Sequence, residues 1–78
     1  MENMKQMVIA IQGLHDVYDF IKEASKVDGD VIIKKGKFAV DAKSFLGVLS
    51  LDVSQNVIVV YPTTAEVFEK YISQFRKE

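Results

Sequence analysis

Ala42-Lys43-Ser44-Phe45-Leu46-Gly47-Val48-Leu49-Ser50-Leu51 is the stretch from which the architecture can be read outward. Phe45, Val48 and Leu49 stand at i, i+3 and i+4, the spacing of one helical face, so Ser44 to Leu51 is predicted to hold a helix of one to two turns. Ser44 precedes the apolar run as an N-cap, its hydroxyl available to the first free amides. So short a helix has a single inward stripe. Phe45, Leu46 and Leu49 therefore cannot all turn inward, and Leu46 is expected at the surface.

On the N-terminal side, Lys5 to Gln12 reads as a strand carrying β-branched Val8, Ile9 and Ile11, broken by Gly13. A helix is predicted from about Asp16 to Lys26, with Val17, Phe20, Ile21 and Ala24 inward, Asp16 as its cap and Asp19 complementing its dipole. Asp28-Gly29 closes that segment. Val31-Ile32-Ile33 and Phe38-Ala39-Val40 form strands joined by a hairpin at Lys35-Gly36. On the C-terminal side, Asn56 to Tyr61 is a further strand. Pro62 then punctuates the chain, and Thr63-Thr64-Ala65-Glu66 has the pattern of a capping box. The last helix is expected to reach about Arg76 with Val67, Phe68, Tyr71, Ile72 and Phe75 inward. The order is β-α-β-β-α-β-α, an α+β arrangement with the helices on one face of an antiparallel sheet.

The 78 residues are enough for one domain, 1–78, and nearly half of them are apolar. The chain has no cysteine, so it can make neither a disulfide nor a thiolate metal site. Asp28, Asp30, Asp41 and Asp52 lack metal-ligand spacing, so neither a metal nor any other cofactor is expected. Ten basic residues against eleven acidic ones give no footprint for nucleic acid, and Lys34, Lys35 and Lys37 are read as solvation of a hairpin. The apolar runs Met7 to Ile11 and Val57 to Tyr61 are too short to span a bilayer, and Met1 to Lys5 does not open a leader, so no membrane association is expected. Ser50 and Ser54 lack a base and an orienting acid, so no free-standing catalytic site is supported.

Gly13-Leu14-His15, between the first strand and first helix, adds a second informative segment. Together with Lys43-Ser44, Gly47-Val48 and Ser50-Leu51 in the quoted stretch, and with the element order, it resembles the HPr family, the histidine-containing phosphocarriers of the phosphoenolpyruvate-dependent sugar phosphotransferase system. The resemblance spans essentially the whole chain. It implies an open-faced sandwich of four antiparallel strands and three helices, and a cytoplasmic protein that relays phosphoryl groups. His15 would accept phosphate from enzyme I and pass it to sugar-specific acceptor proteins. Ser44 matches the serine that an HPr kinase phosphorylates in some members, and Phe45, Leu46 and Leu49 match the partner-docking patch.

The family motif Gly-Leu-His-Ala-Arg-Pro here runs on as Asp16, Val17 and Tyr18. The arginine that would balance a phosphoryl group is gone. Asp16 opposes one by a few kcal/mol before screening, at an effective dielectric constant near 20. The glycine following the second helix is replaced by Asp52. Two functions thus stand: a phosphocarrier acting through His15 with regulation at Ser44, or a phosphotransfer-deficient interaction module of the same fold. His15 can equally be an ordinary helix-start residue, and Ser44 only a cap. With all helices on one face, the other sheet face is expected to expose Met7, Ile9, Ile11, Ile32 and part of the fourth strand, and to support a weak homodimer or a docked partner.

Overall fold

The computed structural model describes residues 3–77. Its strands are β1 (Met4–Ile9), β2 (Ile32–Lys35), β3 (Phe38–Asp41) and β4 (Val57–Pro62), and its helices α1 (Leu14–Ser25), α2 (Phe45–Ser50) and α3 (Glu66–Ile72), the last followed by a 3-10 turn at Ser73–Phe75. The sheet is antiparallel, in the order β1-β4-β2-β3. Val17, Phe20, Ile21 and Ala24 of α1, Val48 of α2, and Phe68 and Ile72 of α3 join one core with Met7, Ile9, Ile33, Val57, Val59 and Tyr61 of the sheet. These sheet residues share one face by register, since Met7 lies opposite Val59, Ile9 opposite Val57 and Ile33 opposite Val59. All three helices therefore cover the same side, the open-faced sandwich expected from the element order. Among the described residues no helix is long and apolar enough to cross a membrane.

Along β1 the faces are the reverse of the sequence reading, whereas Ile32 and part of β4 lie on the outer face as expected. Met7, Ile9 and Ile11 are buried, Ile9 completely, and the outer face carries Gln6, Val8, Ile32, Lys34, Ile58 and Val60. Alternation along a strand fixes which residues share a face, but not which face meets the helices. Here the bulkier set of β1 packs inward against Val57, Val59 and Phe20. The expected outer patch thus shrinks to Ile58 and half-buried Val8, Ile32 and Val60, interrupted by Gln6 and Lys34.

Further differences lie at helix ends. Gly13 is the N-cap of α1, so Asp16 sits in the first helical turn and caps nothing. The capping box at Thr63 does not form, because the tight turn after Pro62 uses the backbone groups: the Ala65 amide donates to the Pro62 carbonyl and the Glu66 amide to that of Thr64. Ala65 becomes the cap residue of α3, without a side-chain bond. Val67 is 79% exposed rather than inward, and the α-helix stops at Ile72. The chain then tightens so that the Ala10 amide reaches the Phe75 carbonyl and the Lys77 amide reaches that of Val8, adding Arg76 as a bridge beside Ile9. The hairpin forms at Gly36, whose φ of 60° suits a residue without a side chain.

Buried Tyr61 ties α3 to the sheet. Its hydroxyl donates to Glu69 Oε2 at 2.7 Å, and Lys5 Nζ lies 2.9 Å from the same oxygen. Burial first, and then the Glu69 bond and charge, push the phenol up to about 12. Lys5 first and Tyr61 second hold the Glu69 carboxyl below its ordinary value.

Candidate functional site

Gly13 adopts an extended conformation, φ −110° and ψ 149°, and the chain turns directly into α1. Glycine offers no side chain to the first-turn amides, so the positive end of α1 is not closed by a cap. His15 is the second residue of this helix, and its side chain is 90% exposed. Nε2 lies 3.4 Å from Asp19 Oδ2, one turn further along the helix. Asp19 thus places an acceptor on the Nε2 side of the ring.

Helical geometry separates the surroundings of His15 into two flanks. Leu14 and Tyr18, at i and i+4, lie on one side, and the Tyr18 ring stacks on Phe45 of α2 with centroids 5.1 Å apart and planes 19° off parallel. Leu46, 77% exposed, and Leu49 continue this apolar flank along α2, which carries no charged residue. Asp16, Asp19 and Glu23 occupy the other flank, towards α3. Their field is felt at Tyr71, whose phenol is pushed up to about 12, by burial first and then by Asp19, Asp16 and Glu23. Lys26 pairs with Glu23 at 3.1 Å, whereas among the described residues no lysine pairs with Asp16 or Asp19. Val17, where the family motif has arginine, is 6% exposed and belongs to the core, so this position brings no cation to His15.

Ser44 is the N-cap of α2, as its sequence pattern predicts. Its Oγ accepts from the Gly47 amide at 3.1 Å and remains at the surface. A Cβ on Gly47 would stand 3.2 Å from that Oγ and 3.4 Å from Val40 Cβ, so glycine permits the close approach. Asp52, after α2, builds its own turn: its carboxylate accepts from the amide and hydroxyl of Ser54, which with the nearby charge of Lys35 holds its acid below the ordinary value. Lys35 Nζ donates to the Asp52 carbonyl at 2.9 Å, and so one of the three hairpin lysines ties the hairpin to this turn. Among the described residues no group of three His, Asp or Glu side chains is placed to hold a metal ion.

The family model described as the PTS HPr component phosphorylation site matches residues 5–74. The chain belongs to the HPr family. No curated protein matches this HPr-family chain significantly by sequence. Among solved structures, it is similar to the phosphocarrier protein HPr from Bacillus anthracis str. Ames, with a TM-score of 0.72, 21% identity, and 96% of each chain covered. At that identity the likeness speaks for the fold.

Sequence reasoning named His15, Ser44, Phe45, Leu46 and Leu49, and the fold gathers His15 with the apolar three through Tyr18. Ser44 stands beside them as the cap of the same short helix. It missed two neighbours. Asp19 could have been found from its i+4 spacing to His15. Tyr18 could not, because its partner Phe45 is 27 positions away and only packing of α1 on α2 brings them together.

Proposed function

We propose that this HPr-family protein carries phosphoryl groups within the phosphoenolpyruvate-dependent sugar phosphotransferase system, in the cytoplasm, with His15 as the acceptor. The observation that carries this reading is an exposed imidazole in the first turn of an uncapped 12-residue helix, in a chain whose residues 5–74 match the family. Nδ1 attacks phosphorus, the donor's phosphorus–nitrogen bond breaks, and a new one forms on His15. The first-turn amides of α1 receive the phosphoryl oxygens. Enzyme I is the donor, and sugar-specific proteins take the group onward. Phe45, Leu46 and Leu49, joined by Tyr18, provide the docking patch.

Ser44 is a regulatory residue in this reading, modified by an HPr kinase. Its hydroxyl is at the surface, and added negative charge at the start of α2 is compatible with the helix dipole. Self-association through the outer sheet face rests on Val8, Ile32, Ile58 and Val60, and light scattering that finds a strict monomer at high concentration removes it.

The carrier reading is tested by intact-mass measurement after incubation with phosphoenolpyruvate and enzyme I. An acid-labile adduct of one phosphoryl group is expected, and it should disappear in His15→Ala. Absence of the adduct, next to a working HPr control, would instead support the interaction-module reading.

A further inference from the structure

The partner's chemistry can be read from the two flanks of His15. An exposed apolar strip runs from Leu14 and Tyr18 on α1 across the stacked ring of Phe45 to Leu46 and Leu49 on α2. Side chains of this size left in water on adjacent helices mark a contact surface. Along its far side stand Asp16 and Asp19, with which among the described residues no lysine forms an ion pair. Lys22, the nearest cation in sequence on α1, stands seven residues from His15, about 10 Å along the helix axis, and forms no ion pair with Asp19 among the described residues. The motif position that could supply a cation is occupied by buried Val17. A group that brings negative charge to His15 must therefore arrive with positive charge of its own.

We infer that this face docks a protein surface with an apolar centre and a lysine- or arginine-bearing rim, the rim facing Asp16 and Asp19 so that the cation missing beside His15 is supplied in trans. The inference rests on the carrier reading for its purpose, but not for its measurement. The same two carboxylates repel phosphate-rich surfaces, so nucleic acid and anionic lipid are unsuitable occupants.

The probes are two synthetic helical peptides with one leucine-rich face in common, flanked by lysine and arginine in one and by glutamate in the other, titrated into the isotope-labelled full chain. The basic peptide should shift the amide signals of Leu14, Tyr18, Leu46 and Leu49 and bind about fivefold more tightly than the acidic one at low salt. That preference should fade at several hundred millimolar salt. Asp16→Asn with Asp19→Asn, two surface changes that keep side-chain shape, should bring the ratio close to one.

No shift from the basic peptide, equal binding of both, or shifts gathered on the outer sheet face would overturn the inference. So would concentration-dependent shifts of the same amides without peptide, which would assign the face to a second copy. A phosphoryl adduct without peptide selectivity sinks only the basic-partner inference. Selectivity without an adduct sinks only the carrier reading.

Discussion

At the scale of single residues, Ser44 and Val17 make opposite demands on the chain. The Ser44 hydroxyl satisfies the Gly47 amide and starts α2, so Ser44→Ala should cost about 1 kcal/mol, within the range for removal of an N-cap. In a domain of this size that corresponds to a fall in melting temperature of about 4–8 °C, measurable by circular dichroism; an unchanged midpoint would mean that the cap contributes nothing. Val17 packs in the core, so Val17→Arg places an unpaired charge among Phe20, Ile21 and Ala24. The variant should be destabilised by about 3 kcal/mol or more rather than gain phosphoryl acceptance. Denaturation in urea, run beside the phosphorylation assay, separates these outcomes. A stable variant with improved acceptance would show that the arginine can leave the core and reach His15. Both residues were named from sequence, and Ser44 disclosed its geometry there because a cap is set by its own next three residues. The inward position of Val17 follows from its spacing with Phe20, Ile21 and Ala24, and its meaning for the missing cation emerges only when the whole helix is seated on the sheet.

Between elements, the stack of Tyr18 on Phe45 is the aromatic link from α1 to α2. Each ring is partly exposed, so the contact adds orientation beyond simple burial. A double-mutant cycle with Tyr18→Ala and Phe45→Ala should yield a coupling of about 0.5–1.5 kcal/mol in urea denaturation. A coupling near zero would make the stack incidental to how α2 is seated. Element identities were legible throughout, because periodicity in α1 and apolar runs in the strands are local signals. Ends were less so. The Thr63 capping pattern lost to a tight turn that uses the same backbone groups, and α3 stopped early because residues 75–77 are recruited to β1. Neither competition can be seen within a short window of sequence.

For the whole molecule, pH should limit stability from both sides. Tyr61 and Tyr71 are raised from 10.0 to about 12, so their stabilisation is complete below pH 10 and is lost as pH climbs towards 12, where the folded form ionises too. Glu69 lies below its ordinary 4.5, so its contribution is present above that value and is lost as pH falls through the lower folded one. Urea midpoints measured across pH should therefore decline at both extremes, and Tyr61→Phe should flatten the alkaline limb; an unaltered limb would place its origin elsewhere. The inverted faces of β1 show where sequence reading stopped: the strand alternates clearly, but the choice between Met7 and Ile9 or Val8 and Ala10 as the inner set belongs to the packing of all layers at once. β1 also has a consequence for how the chain is made. Its partners on either side are β4 at Val57–Pro62 and the bridge at Arg76, so this strand is paired by segments that are synthesised well after it. A nascent chain must keep Met7 to Ile11 unpaired until the segment from Val57 to Arg76 has left the ribosome, a window in which that apolar run is open to chaperones or to other nascent copies.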